Sequence, residues 1–246
     1  MQGQNQQQAY DRGITIFSPD GRLYQVEYAR EAVKRGTASV GVRAEDGVVL
    51  AADRRARSEL MEPSSIEKIH KIDAHIGVAS AGHVADARQL IDFARRQSQV
   101  NQLRYAEPVG VETLTKAVTD HIQQYTQTGG ARPFGTALLV GGVDDGTPRL
   151  FETDPSGTPY EWQATAIGGN RDGIQSYLED NFEAGLTLEG ATGLALEALA
   201  DVHEGELAAE EVALATIDTE DEQFADVPRD VIEETLAERD LLADEE

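Results

Sequence analysis

The stretch YDRGITIFSPDGRLYQVEYA occupies residues 10–29 of the chain. Residues 18–21 within it (Ser-Pro-Asp-Gly) predict a turn, because proline presets one backbone φ angle and glycine accepts the positive φ that can follow. After the turn, side chains recur on one helical stripe, which predicts a short helix over residues 22–35. The stripe consists of Leu23, Val26, Arg30 and Val33.

Beyond residue 35 the sequence switches repeatedly between strand-like and helix-like periods. Short β-rich runs at 38–42 and 48–52 flank a hairpin signal, Glu-Asp-Gly, at residues 45–47. Further strands are predicted at 66–72, 76–80, 135–143, 148–153, 160–167 and 212–217. Helices are predicted at 84–104, 111–125, 171–183, 188–203 and 229–242, and a loop at 128–133.

The order of these elements indicates a layered fold. Runs of strands alternate with pairs of helices, which is typical of stacked layers with antiparallel sheets inside and helices outside. No internal repeat and no linker divides the chain. The sequence therefore favours an α+β fold.

The chain is strongly acidic. Its 246 residues include 21 Lys plus Arg and 45 Asp plus Glu, which gives a net charge of −24. This balance opposes binding to nucleic acid or to anionic membranes, because phosphate contacts need clustered cations. Two interpretations remain open: a highly soluble mesophile protein, or a protein of a cytosol so rich in salt that the self-repulsion is screened.

Several kinds of site and location are excluded by composition. The absence of cysteine excludes disulfides, thiolate metal sites and a cysteine nucleophile. The N-terminus lacks the apolar core of a signal peptide, and no apolar run approaches the roughly 20 residues of a membrane helix. We therefore predict a cytoplasmic protein with no metal and no cofactor. The histidines, which lack the spacing of metal ligands, are His70, His75, His83, His121 and His203.

The stretch at residues 10–29 closely resembles the N-terminal signature of proteasome α subunits. Its Tyr-Asp-Arg element and its Phe-Ser-Pro-x-Gly-Arg-Leu-x-Gln-Val-Glu-Tyr-Ala element both match. The resemblance continues at residues 65–69, 81–88, 123–133 and 149–157, and it fades after about residue 203. With its acidity, the chain resembles a haloarchaeal member of the archaeal core-particle family.

The resemblance implies the four-layer αββα sandwich of N-terminal-nucleophile hydrolases, in which helices flank two stacked antiparallel sheets. It also implies an N-terminal gate segment with a ring-packing helix (1–35), an αββα core (36–218) and an acidic tail with a helix (219–246). The implied function is that of a non-catalytic subunit in ubiquitin-independent protein degradation. Partners would be other α subunits in a heptameric ring, β subunits, an activating ATPase and unfolded polypeptide in transit.

The catalytic β relatives share this fold, so an active site must be considered. Their nucleophile is a threonine hydroxyl whose own free α-amine serves as base. Here Gly36 and Thr37 match the cleavage point, Asp53 and Lys68 match the supporting acid and lysine, and Gly82 matches an oxyanion-hole position. The alternative hypothesis is therefore an autocleaved N-terminal threonine endopeptidase with Thr37 as nucleophile.

Three features argue against catalysis. The segment before Thr37 carries the α signature, and an uncut Thr37 has an amide nitrogen that cannot act as a base. Residues 168–170 read Gly-Gly-Asn where catalytic relatives have Gly-Ser-Gly, and the chain contains no Asp-x-x-Ser. Removing members of a unit that acts together lowers rates by orders of magnitude. We therefore predict no catalytic residue, and we expect Asp53, which lies beside three arginines, to be an ion-paired turn carboxylate.

Three functional regions follow from the resemblance instead. The gate would comprise Tyr10, Asp11, Arg12, Pro19 and Tyr28, which resemble the cluster that holds the N-terminal tails of the family open or closed.

The second region is a docking pocket between neighbouring subunits. Lys68 matches the lysine that receives the C-terminal carboxylate of an activating ATPase, which suits a compact ammonium group. Arg30, Gly36 and Gly82 resemble other residues of this pocket, and glycine permits close backbone approach. His83 stands where some relatives have an apolar residue.

The third region is the pore constriction. Gly129, Gly130, Ala131 and Arg132 resemble the loop that lines the inner annulus of the ring. Small residues keep side chains out of the lumen, so that only an unfolded chain would pass.

Overall fold

The computed structural model describes residues 17–56, 58, 60–128, 130–203 and 206–243. Its first element is helix α1 (Tyr24–Lys34). Ahead of the helix, the Gly21 amide donates to the Ser18 carbonyl at 2.8 Å and the Arg22 amide donates to Ser18 Oγ at 3.0 Å. The predicted turn and helix are both confirmed. The buried residues of α1 are Val26, Ala29 and Val33.

The strands of the described residues form two antiparallel sheets. They are β1 (Ser39–Arg43), β2 (Gly47–Asp53), β3 (Ile69–Asp73), β4 (Ile76–Gly82), β5 (Thr136–Asp144), β6 (Thr147–Thr153), β7 (Pro159–Glu161), β8 (Ala164–Ile167), β9 (Val212–Asp218) and β10 (Phe224–Asp226). The first sheet has the order β10-β9-β2-β1-β8, and the second has the order β3-β4-β5-β6-β7.

Helices cover the outer face of each sheet. They are α2 (Val84–Tyr105), α3 (Val111–Gln127), α4 (Arg171–Asn181), α5 (Leu188–Asp201) and α6 (Arg229–Glu238). Apolar residues of α4, α5 and α6 pack on the first sheet, and those of α2 and α3 pack on the second. A third apolar cluster fills the space between the sheets. The predicted α+β sandwich with αββα layers is confirmed.

Strand β2 shows how the layers bury the centre of the molecule. All seven of its residues are buried. Val49 packs in the cluster beneath α5, while Leu50 and Val48 pack in the cluster between the sheets. Because neighbouring residues of a strand point to opposite faces, both faces of β2 are covered and the run is apolar throughout.

Two strand predictions were wrong in detail. The run predicted as one strand at 160–167 is two strands in different sheets, because β7 pairs with β6 and β8 pairs with β1. The change of partner falls between Trp162, whose amide donates to Leu150, and Gln163, whose carbonyl accepts from Arg43. The strand predicted at 66–72 begins only at Ile69, since residues 63–65 form a short 3-10 helix.

The C-terminal region also differs from the prediction. Strand β10, which pairs with β9, was not predicted. Helix α6 ends at Glu238 rather than at residue 242, and Asp240 adopts a left-handed φ of 54° just beyond it. Ile232 and Leu236 are buried in the core beneath this helix, so α6 is anchored to the sandwich.

Candidate functional site

Five chain segments meet at one end of the sandwich. Thr37 precedes β1, Asp53 ends β2, Lys68 precedes β3 and Gly82 ends β4. Gly168, which follows β8, approaches Thr37 so closely that an added Cβ would lie 2.6 Å from the Thr37 carbonyl oxygen. Antiparallel pairing within each sheet and the stacking of the two sheets bring these strand ends together, although the residues are far apart in sequence.

Lys68 and Thr37 form the centre of this region. Lys68 Nζ donates to the Thr37 carbonyl oxygen at 2.9 Å and to Thr37 Oγ1 at 3.1 Å. Thr37 Oγ1 in turn donates to the Asp53 carbonyl oxygen at 2.6 Å. The threonine hydroxyl is therefore engaged with a backbone acceptor and a lysine, and the Thr37 nitrogen is a peptide amide joined to Gly36.

Lys68 carries its amine in a weakly solvated position. Its side chain is buried, and it makes no ion pair with a carboxylate in the part of the chain that the structure describes. Burial lowers the pKa of Lys68 to about 8, although the nearby charge of Asp53 acts to raise it. The ammonium form still predominates at neutral pH, but a substantial fraction of Lys68 is the neutral amine.

Asp53 is a buried carboxylate that binds Arg55 and His203. Its Oδ2 atom lies 3.2 Å from Arg55 Nη2 and 3.1 Å from Nε2 of the buried His203, and the Arg55 amide donates to Oδ1 at 2.9 Å. Burial acts to raise the pKa of Asp53, but the bonds from His203 and Arg55 outweigh it and lower the pKa. The ion pair with Arg55 confirms the predicted pairing, but Asp53 is the buried last residue of β2 rather than a turn residue. Sequence reasoning missed His203, which lies 150 residues away.

A cleft of about 290 Å³ opens beside Lys68. Three of the four residues predicted for the docking pocket line it: Lys68, Gly36 and Gly82. Val84 and Arg88 from the start of α2 also line the cleft. His83, which was singled out from the sequence, is not among the lining residues.

The two glycines are required by close backbone contact. A Cβ on Gly36 would lie 2.4 Å from the Gly82 nitrogen. Gly82 has φ +109°, and its own Cβ would lie 2.3 Å from the Gly135 carbonyl oxygen. No larger residue fits either position without moving the backbone.

Arg30 does not line the cleft of its own chain. Its guanidinium binds Asp154 through two hydrogen bonds, of 2.9 and 3.0 Å, and it also contacts Glu27 at 2.8 Å. Arg30 and Asp154 line a separate cavity of about 480 Å³, which Trp162 also lines. The structure therefore brings together three of the predicted docking residues and separates the fourth.

The gate residues are described only in part. Tyr10, Asp11 and Arg12 lie outside the described residues. Pro19 is exposed in the turn before α1, and Tyr28 is half exposed on α1 itself. Both residues are therefore on the surface, close in sequence to the N-terminal segment.

The predicted annulus loop is anchored at its C-terminal side. Gly129 lies outside the described residues, Gly130 is in a turn, and the Ala131 amide donates to the Thr128 carbonyl at 3.1 Å. Arg132 binds the buried Asp86 through two hydrogen bonds, of 2.6 and 2.7 Å. Asp86 was not identified from the sequence, because its partner is 46 residues away.

The described residues contain neither a metal-binding cluster nor a membrane-spanning helix. Among these residues no group of three or more His, Asp or Glu side chains could hold a metal ion. None of the helices that the structure describes is long and apolar enough to span a membrane.

Comparison with protein-family models shows the class of protein to which the chain belongs. The family model for proteasome subunits matches residues 33–217, which span almost all of the sandwich. The model for the N-terminal signature of proteasome A subunits matches residues 10–32.

Curated relatives agree over the whole chain. "Proteasome subunit alpha 2" of Haloarcula marismortui is 72% identical over 245 residues, covering 100% of both chains. "Proteasome subunit alpha" of Natronomonas pharaonis is 70% identical over 247 residues, which cover 100% of this chain and 97% of the relative. "Proteasome subunit alpha 1" of Haloferax volcanii is 70% identical over 246 residues, covering 100% and 98%.

The chain belongs to the proteasome α-subunit family. Members of this family are non-catalytic components of the protease complex, and the chain assembles with other proteasome subunits. The similarity to proteins of halophilic archaea favours the high-salt interpretation of the net charge of −24. The hypothesis of a threonine peptidase acting through Thr37 is not favoured.

Proposed function

We propose that the chain builds a heptameric α ring that gates the access of substrates to a proteolytic chamber formed by β subunits. The ring docks an activating ATPase and acts in ubiquitin-independent protein degradation in the cytoplasm. Residues 1–35 form the gate segment and the ring-packing helix, residues 36–218 the core, and residues 219–246 the acidic tail. Membership of the α-subunit family supports this proposal.

The observation that carries the docking role is the position of Lys68 in its cleft. A protonated lysine has three N–H donors, and Lys68 directs two of them to the oxygen atoms of Thr37. The third donor is available to an acceptor in the cleft. A C-terminal carboxylate entering there would bind an ammonium that has no other carboxylate partner among the described residues.

The geometry of the glycines supports the same role. The contact between Gly36 and Gly82 keeps side chains out of this part of the cleft wall. A peptide terminus can therefore approach the backbone closely, as such capture requires. Arg30 would act from its own site beside Asp154, outside the cleft of the same chain.

The gate and the annulus complete the proposal. Tyr10, Asp11 and Arg12 would form the movable gate cluster, and Pro19 and Tyr28 would provide the fixed surface beside it. Gly129, Gly130 and Ala131 would line the constriction with small residues. Arg132 would border it, because Asp86 binds its guanidinium. Only unfolded polypeptide would then pass.

The docking role is tested by replacing the lysine with an uncharged residue of similar length. In core particles assembled with β subunits, Lys68→Met should reduce ATPase-stimulated degradation of an unfolded protein about tenfold or more. The reason is that a hydrogen bond to a charged group contributes about 1.5–3 kcal/mol. The stimulated rate is measured against the unstimulated hydrolysis of a short peptide in the same sample.

Lys71→Met is the matched control, because Lys71 is exposed on β3, three residues further along. It should leave stimulation unchanged. Electron microscopy of both variants should show seven-membered rings, which separates a docking defect from an assembly defect. Full stimulation of intact Lys68→Met rings would remove Lys68 from the docking site.

A further inference from the structure

The chain contains four lysines, and one of them is chemically distinct. Lys34 and Lys116 are exposed and bind Glu31 and Glu112 at 2.8 and 2.6 Å. Lys71 is exposed on β3. Lys68 is buried, and among the described residues its hydrogen-bond partners are the two oxygen atoms of Thr37. The environment of Lys68 therefore stabilises the ammonium form less than water and a carboxylate would.

The two acceptors of Thr37 can serve a neutral amine as well as the ammonium. A neutral amine has two N–H donors and one lone pair, and Lys68 Nζ donates to two oxygen atoms at 2.9 and 3.1 Å. Thr37 Oγ1 is free to accept, since its own hydrogen is donated to the Asp53 carbonyl oxygen at 2.6 Å. Thr37 can thus hold an uncharged Lys68 with both hydrogens satisfied and the lone pair unused.

The cleft offers a small electrophile a path to this amine. Lys68 lines a space of about 290 Å³, which is the volume of roughly ten water molecules. Arg88, on the first turns of α2, also lines the cleft and presents a cation to an anionic reagent. A small acyl group attached to a phosphate fits this volume, and Arg88 can pair with its phosphate although Glu67 also lines the cleft.

We propose that Lys68 is an acylation site that reacts with small acyl phosphates. The lone pair of the neutral Nζ attacks the carbonyl carbon, and a C–N bond forms. The bond between that carbon and the phosphate oxygen breaks, inorganic phosphate leaves with the electron pair, and the surplus amine proton passes to solvent.

The consequence for docking rests on the function proposed above. The product is an uncharged amide, which has one N–H and no positive charge with which to bind a carboxylate. Acylation of Lys68 would therefore prevent the C-terminus of an ATPase from binding in the docking cleft, without any change in sequence.

The pH dependence follows from the surroundings of the amine. Glu67, His70 and Arg88 are the titratable side chains that line the cleft with Lys68, and the charge of Asp53 acts on the amine from the end of β2. Burial lowers the pKa of Lys68 to about 8, and the charge of Asp53 opposes this. The neutral fraction, and with it the acylation rate, should rise with pH and level off above about pH 8.

The experiment uses the assembled core particle and acetyl phosphate. Acetylation of each lysine is followed by peptide mass spectrometry between pH 6 and about 10. Lys68 should react about tenfold faster than Lys71 at pH 7.5, because its larger neutral fraction outweighs the lower nucleophilicity of a weaker base. In guanidinium-unfolded chain the two rates should become equal. A Lys68 rate no greater than that of Lys71 in the native particle would overturn the proposal.

A second readout separates the two proposals. ATPase-stimulated degradation is measured in the same samples, and the loss of stimulation should follow the acetylated fraction of Lys68. Rapid acetylation of Lys68 with undiminished stimulation would confirm the acylation site and contradict the docking role of the lysine.

Discussion

At the scale of single residues, Gly82 connects the cleft to the second sheet. It ends β4, pairs with Thr136 at the start of β5 and adopts φ +109°. An added Cβ would lie 2.3 Å from the Gly135 carbonyl oxygen, which is a backbone atom that cannot rotate away. Both the left-handed conformation and the contact therefore require glycine.

Gly82→Ala should lower the free energy of unfolding by about 3 kcal/mol or more, through positive-φ strain together with the backbone clash. Gly146→Ala is the matched control, because Gly146 has φ +73° in the turn between β5 and β6 but nothing within 4 Å of its added Cβ. It should lower the free energy by only about 1 kcal/mol, from φ strain alone. Thermal unfolding of the purified chains measures both. Equal destabilisation by the two substitutions would show that the contact with Gly135 is unimportant.

The sequence could predict individual residues of the candidate site but not their surroundings. Lys68, Gly36 and Gly82 were identified through the resemblance, and the structure places them around one cleft. The burial that lowers the pKa of Lys68 depends on strands that are remote in sequence. The same holds for His203, since its contact with Asp53 exists only after α5 packs on the first sheet.

At the scale of elements, Asp86 joins helix α2 to the loop before β5. Its Oδ2 atom accepts from the Gly135 amide at 2.8 Å, and its two oxygens bind the guanidinium of Arg132. Asp86 is in the first turn of α2, where the helix dipole also favours a negative charge. One buried carboxylate therefore fixes the start of a helix and the end of the predicted annulus loop.

Asp86→Asn should loosen this loop. The substitution removes the charge that binds Arg132, and we expect about 2 kcal/mol of destabilisation because Arg132 remains partly solvated. Hydrogen exchange of the Gly135 amide should become at least about tenfold faster. Asp92→Asn, at an exposed position of the same helix, should change neither quantity.

The pH dependence of stability gives a second test of the same contact. Burial acts to raise the pKa of Asp86, but the bonds from Arg132 and Gly135 outweigh it, so the pKa is lowered from 3.8. The stabilisation is therefore present above about pH 4 and is lost as the pH falls through the lowered pKa. The Asn variant should lack this contribution, and an unchanged acid-unfolding curve would contradict the role of Asp86.

Predictions of whole elements succeeded where a hydrophobic period extended over many residues. They failed where strand pairing determined the structure. The periodic residues of α2 and α3 predicted both helices to within two residues at each end. Residues 160–167 look like one strand, because periodicity shows which face is buried but not which strand is the neighbour. The short strand β10 forms by pairing with β9. Its three residues are too few to show a periodic pattern in the sequence.

At the scale of the whole molecule, the layered fold and the net charge are separate properties of the sequence. The αββα sandwich buries apolar clusters between the sheets and beneath the helices on both sides. The net charge of −24 therefore acts mainly across the surface, where like charges repel one another through water. Salt weakens this repulsion, because the screening length falls from about 10 Å at 0.1 M to about 3 Å at 1 M.

The purified chain should consequently depend on salt for stability. Lowering KCl from about 2 M to about 0.1 M should reduce the Tm by about 10 °C, which corresponds to a few kcal/mol for a chain of this length. A variant with Glu233→Gln, Glu234→Gln and Glu238→Gln, all exposed on α6, changes the net charge from −24 to −21. Its Tm should exceed that of the parent at low salt and equal it at high salt, because screening removes the difference. A Tm that is unaffected by KCl, or a variant that shifts it equally at both concentrations, would show that surface repulsion does not limit the stability of this fold.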